Sequence, residues 1–119
     1  MTNQEINRRL AFAIGYPPNR VRISDDRVQV FNGFDCPDGP IDWSGWQRFD
    51  HTDPAVIWRI AERFCLFPKR LFSSVYNYNY WKIYEVRKES DKIIVIEAKH
   101  QHAASATALA VIQYIEAKK

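Results

Sequence analysis

The sequence predicts an α+β domain in which three helices pack against a mostly antiparallel sheet of about five strands, as an α/β/α-type sandwich. Three observations predict this class. Apolar residues recur at helical spacing near both ends and in the middle of the chain, apolar and polar residues alternate between those segments, and short polar turns join most of the alternating runs. The element order is α-β-β-α-β-β-β-α, and strands joined by short turns pair antiparallel.

The three helices are predicted from their ends as well as from their apolar stripes. Thr2 and Glu5 fit a capping box at the start of the first helix. Asp53 and Pro54 supply a cap residue and then a proline at the first helical position of the second helix. An alanine-rich stretch with an apolar face predicts the third helix over roughly residues 104–117.

The strands are predicted from alternation and from runs of β-branched and aromatic residues. They cover residues 20–23, 27–30, 71–78, 80–87 and 93–98. The polar turn of residues 24–26 joins the first two strands in a hairpin, whereas residues 77–79 fit either a strand or a tight turn. The nearly continuous apolar run of residues 93–98 is typical of a central strand. Residues 32–51 form a long aromatic loop, with or without a short strand.

Composition is that of a single globular domain. The chain has 119 residues, a net charge of +3 and a pI near 8.9, which is less basic than a dedicated DNA-binding domain. Cys36 and Cys65 are too few for a secreted disulfide scaffold, and the sequence assigns neither a chemical role. Signal-peptide and membrane-helix patterns are both missing from the sequence. We therefore expect a cytoplasmic protein that does not bind membranes.

Motifs for catalysis and cofactor binding are also missing. The chain has no Gly-x-Ser-x-Gly elbow, His-Glu-x-x-His helix or phosphate-binding glycine loop, so we expect neither enzyme activity nor a cofactor. Asp35, Asp38 and Asp42 could offer oxygen ligands to a divalent cation, but turn formation is the simpler interpretation. His100 and His102 could share a strand face, but a solvent-exposed pair before a helix is favoured, so no metal site is predicted.

A row of tyrosines is the first candidate binding surface. Tyr76, Tyr78 and Tyr80 are spaced two apart and therefore share one face of a strand, and Lys82 and Tyr84 continue the row. Rings beside cations can stack on nucleobases or anchor a protein partner. The alternative is that the rings cover the sheet beneath a helix while their hydroxyl groups reach water.

The second candidate surface combines arginines with tryptophans. Arg20 and Arg22 share a strand face, and Arg27 joins them if it pairs across the turn. Three converging guanidinium groups would favour an anionic partner, unless neighbouring carboxylates neutralise them. Trp43 and Trp46, in the aromatic loop, either fold onto the domain or form a contact surface.

Three stretches of the chain carry a resemblance to a known family, in the order TNQEINRRLAFAIGY, FDHTDPAVIWRIAERF and HQHAASATALAVIQYI. The first helix ends in Ile14-Gly15-Tyr16, the second follows the cap Asp50-His51-Thr52-Asp53, and an alanine-rich helix closes the chain. In these features the chain resembles the phage ABA sandwich domain family. The resemblance implies a sandwich fold and a phage or prophage source, and it brings no catalytic motif. Residues 34–46 and the tyrosine-rich strand depart from the family.

These observations predict binding rather than catalysis. The first hypothesis is a phage- or prophage-type accessory protein that contacts a host or phage protein through Trp43, Trp46 and the tyrosine row, with the arginines at the rim. The resemblance extends this hypothesis to a counter-defence inhibitor. The alternatives are sequestration of an anionic nucleotide between an aromatic ring and an arginine, and weak nucleic-acid binding through the arginine strand. Homo-oligomerisation stays open.

Overall fold

Three α-helices and six β-strands make up the computed structural model, which describes residues 1–31 and 45–119. The helices are α1 (Asn3–Ala13), α2 (Pro54–Phe64) and α3 (Ala103–Lys118). The strands are β1 (Val21–Ser24), β2 (Arg27–Phe31), β3 (Trp46–Arg48), β4 (Lys69–Ser73), β5 (Tyr78–Glu89) and β6 (Lys92–His100). The predicted α+β class, the three helices and the antiparallel pairing are confirmed.

The strands form two sheets, so the prediction of one sheet of about five strands is wrong. The first sheet has the order β1-β2-β3 and the second has the order β4-β5-β6. The reason is that the aromatic loop supplies the short strand β3, which pairs with β2, before the chain enters α2. The second sheet follows α2 in the chain, and two hairpins join its three strands in sequence order.

The helices lie between the two sheets. Helix α1 contacts β1, β2 and α3, while α3 contacts β5 and β6 as well as α1 and α2. The layers therefore run from the first sheet through α1 and α3 to the second sheet. This differs from the predicted arrangement of helices on the faces of one sheet, because each small sheet buries only one face. The core comprises Ile6, Leu10, Val28, Val30, Ile57, Leu66, Ile83, Ile94, Ile96, Val111 and Ile112, among others.

The helix ends follow local chemistry. Thr2 Oγ1 accepts a hydrogen bond from the Glu5 backbone N–H at 3.2 Å, as the capping-box prediction requires of the first residue. Asp53 Oδ1 likewise accepts from the Ala55 N–H at 3.0 Å at the start of α2. Helix α2 ends where Cys65 adopts a left-handed conformation with φ of 53°.

The hairpin turns explain the strand boundaries. Asp25 and Asp26 both have positive φ, 51° and 60°, which is the geometry of a two-residue turn whose twist matches the flanking strands. This confirms the predicted hairpin, in which Ser24 pairs with Arg27. Asn77 also has a φ of 51°, so it belongs to the turn, and Tyr78 begins β5.

Strand β6 is an edge strand, not the central strand that its apolar run predicts. Strand β5 occupies the centre of the second sheet, because it pairs with β4 on one side and with β6 on the other. Ile94 and Ile96 are buried beneath α3, whereas Ile93 and Val95 on the opposite face are 71% and 52% exposed. An edge strand with one covered face therefore has the continuous apolar pattern expected of a strand covered on both faces.

Candidate binding surfaces

The rings of the tyrosine row lie side by side, although Tyr76 is not in the strand that its spacing predicted. The ring of Tyr78 lies 6.2 Å from that of Tyr76 and 5.9 Å from that of Tyr80, measured between centroids. The Lys82 ammonium group lies 5.6 Å from the Tyr84 ring. Tyr76 itself lies in the turn before β5, and the other four residues alternate along that strand. The row therefore consists of three neighbouring rings, followed by Lys82 against the ring of Tyr84.

The row belongs to a larger exposed surface, which we call the outer face. It is the side of β4–β6 opposite α3, and the strand register assigns to it Lys69, Leu71, Ser73, Tyr78, Tyr80, Lys82, Tyr84, Val86, Lys88, Ile93, Val95, Glu97 and Lys99. Tyr84, Val86 and Val95 are each more than half exposed. No part of the described chain covers this face, so within those residues the interpretation of the row as a covered core surface is wrong.

Two depressions flank the row. The first, of about 420 Å³, is lined by Ser73, the three rings of Tyr76, Tyr78 and Tyr80, Lys99 and His100. The second, of about 470 Å³, lies beside Phe67, Leu71, Lys82 and Tyr84. These two depressions are pockets on the outer face that could receive side chains of a partner.

The outer face is basic. It carries Lys69, Lys82, Lys88 and Lys99 against a single carboxylate, that of Glu97. Lys82 Nζ lies 3.8 Å from Glu97 Oε1, a partly exposed pair of small energetic consequence. The net positive charge favours partners or ligands that carry negative charge.

The first sheet brings the arginines and Trp46 together. The Arg22 guanidinium lies 4.1 Å from the Trp46 ring and donates to Gln29 Oε1 at 2.8 Å. Arg20 lies 5.2 Å from the ring of Phe31, the strand partner of Trp46. Since Arg22 pairs with Gln29 and Ser24 with Arg27, Arg27 shares the face of Arg22. Arg20 lies in the single 3₁₀ turn Pro18–Arg20 ahead of β1, so it does not share a strand face with Arg22 as the sequence predicted, and the convergence of all three arginines stays a prediction.

Among the described residues, neighbouring carboxylates do not neutralise Arg22 or Arg27. Among residues 1–31 and 45–119, neither Arg22 nor Arg27 forms an ion pair, although the predicted turn carboxylates of Asp25 and Asp26 are close in sequence. The positive charge of Arg22 is instead held against the π-face of Trp46, a contact that fixes the guanidinium in place without cancelling its charge.

The two candidate surfaces lie on different sheets. Trp46 is in β3 and the tyrosine row is in β5, with α1 and α3 between the sheets. Trp43 lies outside the described residues, as do Cys36 and the Asp35, Asp38 and Asp42 cluster. The sequence interpretation joined Trp43, Trp46 and the row in one surface. It missed Val86, Ile93 and Val95, whose exposure follows only from the edge position of β6.

A buried polar chain at His51 was also missed by sequence reasoning. The His51 backbone N–H donates to Asn7 Oδ1 at 2.7 Å, and His51 Nδ1 lies 2.5 Å from the same oxygen. Because that oxygen only accepts, Nδ1 carries the ring proton. His51 Nε2 then accepts from the Ser105 hydroxyl at 2.9 Å. The chain ties α1 to the segment before α2 and to α3.

The environment keeps the His51 ring neutral. Burial lowers its pKa below the ordinary 6.5, the neighbouring His100 and His102 lower it further, and the Asp50 carboxylate opposes them. Serine, histidine and asparagine stand here in the order of a nucleophile, a base and an orienting group. His51 and Ser105 are nevertheless buried, at 0% and 1% exposure, so the described structure gives a substrate no route to the Ser105 oxygen.

The remaining histidines form the predicted pair before α3. Their ring centroids are 5.5 Å apart, and the His102 backbone N–H donates to His100 Nδ1 at 3.1 Å. Burial and the nearby His102 lower the pKa of His100. Within the part of the chain that the structure describes, no group of three or more His, Cys, Asp or Glu residues could hold a metal ion.

Comparisons with known proteins add no assignment. No protein-family model matches the chain, and no curated protein or solved structure is significantly similar to it. None of the described helices combines the length and apolar character needed to cross a lipid bilayer.

Proposed function

We propose that the protein is a non-catalytic accessory binding protein of phage or prophage type, which acts by covering a surface of a host or phage protein. The observation that supports this proposal is the exposure of apolar and aromatic side chains across three adjacent strands, among them Tyr84, Val86 and Val95. Soluble proteins rarely leave a large contiguous apolar patch in water, and such patches mark interaction sites. The outer face is the patch in this chain.

The tyrosine row supplies the anchor of the proposed interface. Tyr78 lies between two other rings and beside a cleft of about 420 Å³. Tyrosine adds a large rigid contact area at a small cost in side-chain entropy, and it is enriched at the centres of interfaces. Truncation of such an anchor removes about 2 kcal/mol or more of binding free energy.

The lysines of the outer face define the partner's charge. Four lysines and one glutamate favour a partner surface that is rich in aspartate and glutamate. Complementary charge raises the rate of association and excludes basic competitors more than it adds to affinity. The association rate constant for binding through this face should therefore fall as salt is added.

The absence of catalysis in the proposal is supported by the burial of the one nucleophile–base pair found among the described residues. Ser105 and His51 are hydrogen-bonded, but neither side chain contacts solvent. Their hydrogen bonds have a structural role, because they connect Asn7 of α1 to Ser105 of α3 through His51. The more specific proposal of a counter-defence inhibitor rests on the resemblance to small phage proteins alone, and none of the contacts described above bears on it.

The proposal is tested by capture of partners from host-cell lysate with the tagged protein. We expect a stoichiometric protein that is retained by the wild type and lost with Tyr78→Ala. Trp58→Ala is the matched control, since Trp58 is 48% exposed on α2 and Tyr78 is 42% exposed on the outer face. Circular dichroism of each variant checks the fold. Retention of the partner by both variants would contradict the proposal.

A second candidate function has its own observation. The Arg22 guanidinium held 4.1 Å from the Trp46 ring is the pairing that could hold an anionic nucleotide or a nucleic-acid strand against the first sheet. Calorimetry with a panel of nucleotides, repeated with Arg22→Gln, tests it. Binding that is lost in the variant and weakens steeply with salt would move the assignment from the outer face to the first sheet.

A further inference from the structure

Strand β6 (Lys92–His100) has one edge with which none of the described strands pairs. The Glu97 backbone N–H points away from β5, because it donates to the side-chain oxygen of Gln113 at 2.6 Å. Backbone groups of successive residues in an antiparallel strand point to opposite sides. The amides and carbonyls of Ile93, Val95 and Lys99 therefore also point outward, and no described strand pairs with them.

An edge of this kind is a template for another strand. Soluble proteins usually blunt long edges with prolines, bulges, lysines and other charged side chains, or inward-pointing charges. Strand β6 has neither proline nor bulge, and its exposed side chains are the apolar Ile93 and Val95 and the charged Lys92, Glu97 and Lys99. The Gln113 side chain satisfies one outward amide, that of Glu97, and it has to give up this contact when an incoming strand pairs there.

We propose that this edge pairs antiparallel with the same edge of a second copy, which makes a homodimer with one continuous six-stranded sheet. The twofold axis passes through Val95, so that Val95 faces Val95 of the second copy. Ile93 then faces Glu97 of the second copy, and Asp91 faces Lys99 of the second copy. Opposite charges therefore meet at both ends of the paired segment, where cross-strand pairs stabilise a sheet.

The charges select this register over its neighbours. The outward backbone groups of the two strands can pair in another register only if one strand shifts by two residues from this alignment. A shift in one direction places Asp91 opposite Glu97 of the second copy, which brings like charges together. A shift in the other direction places Ile93 opposite Lys99 and Val95 opposite Glu97, which removes both the charge pair and the contact between valines. Charge complementarity thus points to a second copy in one alignment.

A groove lies beside this edge. It has a volume of about 310 Å³ and runs between β6 and α1, with Leu109, Gln113 and Glu116 of α3 along it. Because the axis is perpendicular to the sheet, α3 of each copy lies on the same side of the joined sheet. The outer faces stay open on the opposite side, so this inference does not depend on the proposed function.

The experiment measures the oligomeric state of the purified full chain by sedimentation velocity over a dilution series. We expect a dimer for the wild type. Val95→Lys places two ammonium groups at the axis, and we expect roughly a tenfold or greater rise in the dimer Kd. Val86→Lys is the matched control, because Val86 pairs with Val95 on the same face and the two are 53% and 52% exposed.

The register has its own test. The Cα atoms of a hydrogen-bonded antiparallel pair are about 5.5 Å apart, within the roughly 4.4–6.8 Å span of disulfides. In a chain whose Cys36 and Cys65 are replaced by serine, Val95→Cys should therefore form a disulfide-linked dimer on mild oxidation, and Val86→Cys should not. Asp91→Lys should weaken the dimer, and Lys99→Asp in the same chain should restore it.

Three outcomes would overturn the proposal. The first is a wild-type protein that stays monomeric at the highest concentration reached. The second is a dimer that Val95→Lys and Val86→Lys weaken equally, because that result would assign the contact to the outer face instead of the edge. The third is cross-linking through position 86 in preference to position 95.

Discussion

Removal of the Asn7 side chain should destabilise the protein more than any other single truncation of a polar side chain among the described residues. Asn7→Ala leaves two buried donors of His51, the backbone N–H and the Nδ1–H, without an acceptor. Each unsatisfied buried donor costs about 1–3 kcal/mol, so the free energy of unfolding should fall by about 2–6 kcal/mol. Ser105→Ala leaves only the His51 Nε2 acceptor unpaired and should cost about 1–3 kcal/mol.

Urea denaturation followed by circular dichroism measures these differences. Thr107→Val is the matched control, because it removes a buried hydroxyl from α3, the helix of Ser105, at nearly constant volume. The Thr107 hydroxyl donates to the Ala103 carbonyl, which keeps its helical partner when the hydroxyl is lost, so the cost should be about 1 kcal/mol or less. An Asn7→Ala variant no less stable than Thr107→Val would refute the argument that the His51 chain fastens α1 to α3.

Three further predictions concern local chemistry. Burial lowers the pKa of His51 in the folded protein below its ordinary 6.5. As the pH falls, the unfolded chain therefore takes up the proton before the folded protein does. The free energy of unfolding should be constant above pH 6.5 and fall below it, by up to about 1.4 kcal/mol per pH unit. In urea titrations His51→Gln should flatten this pH dependence, and an unchanged slope would contradict the assignment to His51. A double-mutant cycle between Arg22 and Trp46 should give a coupling energy of about 0.5–1 kcal/mol, whereas additive losses would mean that their contact contributes nothing. Cys65→Gly should raise the free energy of unfolding by up to about 1 kcal/mol, and the melting temperature with it, because it relieves a left-handed conformation at the end of α2. A lower melting temperature would show that the Cys65 side chain contributes more than the strain costs.

Local signals in the sequence were sufficient for the helix ends and the first hairpin. The caps at Thr2 and Asp53 depend on hydrogen bonds to residues two or three positions away, so the sequence contains both partners side by side. The turn at Asp25 and Asp26 is equally local, since aspartate tolerates positive φ. The tyrosine row follows from the period of a strand.

Features that depend on distant residues could not be predicted. The division into two sheets is decided by whether β3 pairs with β2 or with a later strand, and Trp46–Arg48 alone does not specify this. The edge position of β6 has the same cause, because an apolar run reads alike at the edge and at the centre of a sheet. The His51 chain joins residues 44 and 54 positions apart, and only the polar identity of Asn7 on an apolar helix face hinted at it.

The most direct test of the binding account is hydroxyl-radical footprinting of the protein bound to its captured partner. This measurement reports which side chains lose contact with water. The account predicts that Tyr78 and Tyr84 of the outer face become protected, while Trp58 on α2 is labelled as it is in the free protein. Unchanged labelling of both tyrosines, together with protection of Trp46 in β3, would contradict the account and assign the interface to the first sheet.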